Sequence, residues 1–287
     1  MLEKVDLTKE LPKEEYKKIF QPLQDRLRSL QRTCKDAAVA TTVVFEGWDA
    51  SGKGSMINLL LERMDPRGFK VHPTTAPNIE EIYRPYLWRF WIRLPGYGEI
   101  AVFDRSWYGR VLVERIDKLT PKADWQRAYQ EINDFERNLT ADGQVMVKFY
   151  MHISRTEQRK RFRKCEKDAI LKWKVTEEDW KHHCQYKKYY RAVEEMLEKT
   201  STQDAPWHII EATDDRWARV EVFRILIDAM EARLRAKAVA TAVAQAAKVV
   251  AVAKEAPKAV VAKVAPKPVA VKTASKHPWL QAMHRRT

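Results

Sequence analysis

The sequence predicts an α/β fold: a parallel, doubly wound sheet covered on both faces as a three-layer αβα body, with a helical lid and a disordered C-terminal tail. Three observations predict it. Short apolar runs of strand length alternate with longer amphipathic stretches. A glycine-rich turn joins the first of these runs to a helix. All eight glycines fall between Gly47 and Gly143, which concentrates backbone freedom where loops approach ligands and leaves the flanks to helices.

Each element has its own signal. Lys13 to Ala37 is predicted as an amphipathic leading helix, because Tyr16, Ile19, Phe20, Leu23, Leu27 and Leu30 recur at helical spacing. Thr41 to Glu46 is the first strand and Lys53 to Met64 the helix after the turn. Phe69 to Pro73 is a second strand; Asn78, with acidic residues just after it, is a helix N-cap, and Pro85 limits where that helix can begin. The apolar residues from Ile79 to Leu94 form a wide helical stripe. Ile100 to Phe103 is a short buried strand ending at Asp104, followed by helices over Ser106 to Asp117 and Lys122 to Leu139. Val145 to Ile153 is the longest strand. Ser154 and Glu157 have capping-box spacing and open a basic helix, Thr176 opens another through about Lys199, Trp207 to Glu211 is the last strand, and Asp214 to Arg235 the last helix.

Composition bounds the rest. A chain of 287 residues can bury one sizeable core, and residues 1–236 are read as a single domain with its lid at about 154–186. No segment has the uninterrupted apolar length needed to cross a bilayer, and the first residues lack a signal peptide's apolar stretch, so no membrane partner and a cytoplasmic address are expected. Cys34, Cys165 and Cys184 are odd in number and widely spaced, which indicates neither a disulfide framework nor a zinc site. The net charge is +14, and residues 237–287 carry ten Lys and Arg against the single Glu255. Such a balance favours polyanions of any kind. From about Lys237 the chain is reduced to Ala, Val, Lys and Pro, with prolines at 257, 266 and 268, so Lys254 to Lys272 is expected to be extended. That tail reads equally as a solubilising extension or as a polyanion-binding arm.

The chemistry is concentrated at T-T-V-V-F-E-G-W-D-A-S-G-K-G-S, Thr41 to Ser55. Gly47, four intervening residues, Gly52 and Lys53 have the spacing at which backbone N–H groups of Ala50, Ser51, Gly52, Gly54 and Ser55 can curl around a polyanion. The lysine adds a point charge and the helix its positive end. Gly54 fills the slot where a Ser or Thr hydroxyl would hold Mg²⁺, and Ser55 comes one residue late, so Asp49 is expected to supply the oxygen ligand instead. Asp104, delivered at the C-terminal end of a buried strand, is the natural second metal-binding carboxylate. Arg105 beside it can neutralise charge on a phosphoryl group in flight. Ser154 to Lys174 is dense in cations, with Arg155, Arg159 and Arg163 on one helical face. It reads either as a solvated charged face or as a lid that closes on phosphates and excludes water.

Four ordered blocks then resemble a known family: G-W-D-A-S-G-K-G, A-P-N-I-E-E-I-Y-R-P-Y-L-W-R-F-W, I-A-V-F-D-R-S-W-Y-G-R-V-L-V-E-R and A-P-W-H-I-I-E-A. The chain from about Lys13 to Leu234 is similar to the family-2 polyphosphate kinases. The resemblance implies a P-loop kinase fold like that of thymidylate kinases, Mg²⁺ dependence, self-association, and reversible transfer between inorganic polyphosphate and a nucleoside mono- or diphosphate. It implies that Asp49 and Asp104 hold Mg²⁺, that Lys53 and Arg105 steady the transferred group, and that Arg110 and Arg115 contact phosphates. The lid departs from the pattern, since Cys165 and His183 stand where relatives carry arginine; Arg163, Lys164, Lys172 and Lys181 are placed to compensate from adjacent positions, and Arg159, Arg163, Lys164 and Lys172 are the expected lid contacts to polyphosphate. Two other functions remain open at this level: an ATP-dependent nucleoside monophosphate kinase, and a non-catalytic binder of polyphosphate or nucleic acid. Nucleic acid is not expected for the core and is a candidate partner only for the tail.

Overall fold

The computed structural model describes residues 1–255, with side chains described through 248. Five strands form one sheet: β1 (Thr41–Gly47), β2 (Phe69–Pro73), β3 (Ile100–Asp104), β4 (Val145–His152) and β5 (Trp207–Glu211). They lie in the order β2-β3-β1-β4-β5, and every pairing is parallel. The three central strands are almost wholly buried, as a parallel sheet covered on both faces requires; this is why they read as unbroken apolar runs. The order reverses at β1, so the crevice beyond its C-terminal end is where such a sheet places a ligand.

The helices are α1 (Lys13–Asp36), α2 (Lys53–Leu61), α3 (Ile79–Ile82), α4 (Trp88–Trp91), α5 (Val113–Ile116), α6 (Lys122–Ala141), α7 (Arg155–Lys167), α8 (Glu177–Cys184), α9 (Tyr186–Thr200) and α10 (Asp215–Glu255). The core is continuous, built on Val43, Phe45, Val102, Phe103, Val147 and Phe149 with helix residues such as Leu27, Ile132, Met196 and Phe223 packed against them. Among the described residues no helix is long and apolar enough to cross a membrane.

Several boundaries differ from the sequence reading. The stripe from Ile79 to Leu94 is two short helices, and Ile79, Ile82 and Tyr83 are exposed. Pro85 lacks an N–H and disfavours helical backbone at Arg84, so the periodicity does not become one buried face. Ser106 to Asp117 is a 3₁₀ turn followed by α5, because Leu112 leaves helical geometry at φ −108°, ψ −97°. Thr176 to Lys199 breaks at Gln185 into α8 and α9. The Ser154 hydroxyl accepts from the Glu157 N–H, but the Glu157 carboxylate turns to Arg161 and Lys160 rather than closing the capping box.

Met1–Thr241 forms one compact unit, and a second begins at Ala242. Helix α10 runs past the expected Arg235 to Glu255, since alanine is the best helix former and no Gly or Pro interrupts it before Pro257. Residues 238–248 are exposed, in keeping with a composition that cannot build a core. The tail expected to be disordered from Lys237 is thus helical as far as Glu255, which takes in the first two residues of the stretch expected to be extended; the rest of the tail, with the terminal H-P-W-L-Q-A-M-H-R-R, lies outside the described residues.

Candidate active site

Strand β1 delivers the glycine loop, and its neighbour β4 dictates the first residue. Gly47 sits at φ +138°, and a Cβ there would fall 2.4 Å from the Met151 carbonyl oxygen, so only glycine fits beside that strand. Ala50 (φ +59°) and Gly52 (φ +96°) continue the left-handed turn into α2. The α2 ladder starts with the Met56 N–H donating to the Gly52 carbonyl (2.9 Å), so the N–H groups of Lys53, Gly54 and Ser55 have no acceptor in their own helix. A Cβ at Gly54 would meet nothing within 4 Å, so packing does not require glycine in that slot. Ser51 is buried, and among the described residues its Oγ has no hydrogen-bond partner.

Lys53 bends back over the loop: its Nζ donates to the carbonyls of Gly47 (2.8 Å) and Trp48 (2.9 Å). An ammonium has three protons, so one is left for an anion. Burial and the Arg105 charge push the lysine below its ordinary pKa, while Asp49, Asp104 and Glu46 pull it up.

Strand β3 brings the second half. Asp104 pairs in register with Phe45 of β1 and with Pro73 of β2. Arg105, at φ +59°, donates its N–H to the Phe45 carbonyl (3.0 Å) and accepts at its own carbonyl from the Thr74 hydroxyl (2.8 Å). Its guanidinium reaches across to Asp49, with Nη2 2.8 Å from Oδ1. Burial pushes Asp49 up, but the His182 hydrogen bond and the charges of Lys53 and Arg105 outweigh this and hold its carboxyl below the usual range. Asp49, Lys53, Asp104 and Arg105, separated along the chain, are therefore one electrostatic cluster.

Four members of this cluster escaped the sequence reading. Glu46 is buried beneath the loop and accepts from the Ser106 hydroxyl (2.8 Å); burial raises its pKa, partly offset by that bond and by Lys53 and Arg105. A glutamate ending an apolar strand just before the glycine turn was the available signal. Arg161 of α7 donates to the Ala50 carbonyl (3.0 Å) and to those of Ala212 (2.7 Å) and Thr213 (3.0 Å). Gln158 donates to the Asp49 carbonyl (3.2 Å), and His182 Nδ1 lies 3.4 Å from Asp49 Oδ2. The lid thus lies down on the loop through three side chains that no spacing marked.

Arg159, Arg163, Lys164 and Lys172 are exposed, and among the described residues none makes an ion pair or a hydrogen bond to the loop. His183, in the arginine position, is buried between Phe162 and Trp180 and bonds through Nδ1 to Gln158 Oε1 (2.8 Å), so it orders the residue that touches the loop. Cys165 is a half-buried free thiol.

Arg110 and Arg115 belong to another neighbourhood. Arg110 pairs with Glu114 (3.1 Å) and the Thr120 hydroxyl (2.7 Å), stacks on Tyr86, and lines a cavity of about 580 Å³ with Trp88 and Trp91. Arg115 is held by Glu195 (2.7 Å) and the Tyr129 hydroxyl (3.0 Å) over the Trp125 ring. Trp107 and Tyr108 are core residues bonded to the buried Glu136.

Comparison with known proteins gives a consistent result. The family model described as "Polyphosphate kinase 2 (PPK2)" matches residues 10–238. A polyphosphate:AMP phosphotransferase of Pseudomonas syringae pv. tomato is 45% identical over 231 residues, covering 80% of this chain and 46% of that protein. The crystal structure of a Pseudomonas aeruginosa protein described as a polyphosphate kinase 2 superposes with a TM-score of 0.79 at 44% identity, over 82% of this chain and 50% of that one. The polyphosphate kinase 2 of Arthrobacter aurescens gives a TM-score of 0.78 at 32% identity, over 81% and 85%. The chain spans about half the length of the curated relatives it matches most strongly.

Proposed function

Because the chain belongs to the polyphosphate kinase 2 family, we propose that it transfers a phosphoryl group, with Mg²⁺, between inorganic polyphosphate and a nucleoside mono- or diphosphate. One observation carries this reading: a buried lysine, held by two carbonyls of its own glycine loop, keeps a free proton within a cluster that also holds Asp49, Asp104 and Arg105.

In this mechanism the loop N–H groups of residues 50–55 and the start of α2 receive the phosphates of one substrate, and Lys53 donates its remaining proton to an oxygen of the transferred group. Arg105 releases Asp49 and turns its guanidinium to the same group, since half of its side chain is exposed and free to move. Asp49 and Asp104 fit a hard divalent cation: both offer carboxylate oxygens, and both act on Lys53 and Arg105. Bound there, Mg²⁺ supplies charge neutralisation for the phosphoryl oxygens. Gln158 and Arg161, already seated on the loop, keep water out and so favour transfer over hydrolysis. No general base is required where the acceptor is itself a phosphate anion.

The Pseudomonas syringae relative names AMP, so AMP is the first acceptor to test. Purified protein with Mg²⁺, polyphosphate and AMP, ADP or GDP should form the next higher phosphate. Asp49→Ala and Asp104→Asn should each abolish this without changing the thermal melt. Turnover that survives both substitutions rejects the site; turnover with ATP as the only competent donor rejects the polyphosphate reading.

A further inference from the structure

We propose that Asp117, Glu178 and His182 form a second cation site, for a divalent transition metal such as Zn²⁺, which clips the lid to the body of the domain beside the phosphate loop. The inference rests on these three side chains and does not depend on which donor or acceptor the transfer reaction uses.

Glu178 and His182 are four residues apart on α8 and so share one helical face. Asp117 comes from the other side of the seam, at the C-terminal end of α5. One ligand atom from each residue lies within 4.8 Å of the other two. His182 Nε2 is 3.8 Å from Asp117 Oδ2 and 3.8 Å from Glu178 Oε1, too far in both cases for a hydrogen bond.

The second observation is what these atoms lack. The side chains of Asp117 and His182 are only 10% exposed, and among the described residues neither His182 Nε2 nor Asp117 Oδ1 has a hydrogen-bond partner. Buried polar atoms left unpaired are costly, and here the unpaired His182 Nε2 faces Asp117 Oδ2 and Glu178 Oε1 across one gap, while the other oxygen of the same Asp117 carboxylate is also unpaired. Donor atoms around a tetrahedral ion with Zn–N and Zn–O bonds near 2.1 Å stand about 3.4 Å apart, so the two 3.8 Å separations from His182 Nε2 need to close by about 0.4 Å, and Glu178, which is exposed, is free to move in.

The donor set selects the class of ion. Imidazole favours zinc and its transition-metal neighbours over Mg²⁺ and Ca²⁺, and the two carboxylates balance the dication. The outer side is also built for a metal: His182 presents Nδ1 to Asp49 Oδ2, the carboxylate–histidine arrangement that fixes the tautomer and leaves Nε2 free to coordinate. Lys181 Nζ now lies 3.0 Å from Asp117 Oδ2, but its side chain is largely exposed and can withdraw to solvent. A metal here would tie α8 to α5 and, through His182, register with the phosphate loop.

The test is calorimetric titration of the full chain with ZnCl₂ in millimolar Mg²⁺, which saturates the Asp49 and Asp104 site. One Zn²⁺ per chain is expected, weakened about tenfold or more by Asp117→Asn and by Glu178→Ala and unchanged by Asp104→Asn. Glu178 is exposed, so Glu178→Ala keeps the test valid should Asp117→Asn fold poorly. Absence of saturable binding, binding that Glu178→Ala leaves intact, or binding lost in Asp104→Asn overturns the site.

Discussion

Lys53 and Lys148 are both buried ammonium groups, and they occupy opposite kinds of surroundings. Lys148, in the middle of β4, spends all three protons: on Glu136 Oε2 (2.6 Å), the Tyr108 hydroxyl (2.8 Å) and the Thr200 carbonyl (2.7 Å). The rings of Tyr108 and Trp207 flank it. Burial lowers the pKa of both lysines, but only Lys148 has a carboxylate bonded directly to it. Among the described residues Lys53 is bonded to two carbonyls and keeps one proton unspent. A saturated buried charge fixes a core, whereas an unsaturated one set in a glycine loop still has a proton to offer, as the proposed anion site requires.

The largest expected effect falls on the saturated lysine. Lys148→Met strands Glu136 in the core and should cost about 3–5 kcal/mol in urea unfolding, and adding Glu136→Leu should recover most of it. A small loss in the single variant would erase the distinction between the two sites. Lys53→Met should instead lower kcat by roughly 10²–10³, as removal of one preorganised donor does. Its melting temperature should hardly change; a loss of stability matching that of Lys148→Met would show that the loop lysine is structural as well.

His152 joins the two regions, since it lies on β4 with Lys148 and accepts at Nδ1 from the Trp48 indole of the loop (2.9 Å). Burial lowers its pKa to about 4. The unfolded chain therefore takes up the proton first as pH falls. Stability is fully present above about pH 6.5 and is lost between there and pH 4, by up to about 1.4 kcal/mol per pH unit. His152→Gln should flatten that part of the stability–pH curve, and an unchanged slope would mean the imidazole titrates normally. The smallest effect on the fold is expected at the lid. Arg163→Ala should leave stability within about 0.5 kcal/mol yet raise KM for polyphosphate and reduce its salt dependence; an unchanged KM would mark that cationic face as solvated surface.

The half of the candidate site that was legible in the sequence is the half written locally. Asp49 and Lys53 sit within one strand–turn–helix, and Asp104 and Arg105 follow directly from a buried strand that had to end at the ligand edge. Glu46 had a local signal at the end of its apolar strand, but Gln158, Arg161 and His182 were not legible. Nothing near Arg161 in sequence distinguishes it from the other cations of α7, and its role comes from carbonyls of Ala50, Ala212 and Thr213 that only folding brings to it. The same limit applies to the stripe from Ile79 to Leu94, where helical periodicity was real but Pro85 broke the backbone that would have expressed it.

By itself the sequence determined the alternation of strands and helices, the glycine loop with its lysine, and the carboxylate at the end of β3, because these depend on local backbone preference and on which residues must be buried. Tertiary structure decided which of many lid cations touch the loop, that His183 packs and His182 faces Asp49, and that one buried lysine is saturated while the other is not. Those outcomes depend on which polar groups meet across the sheet and the lid seam, and a buried charge acquires its meaning from the partners that folding supplies.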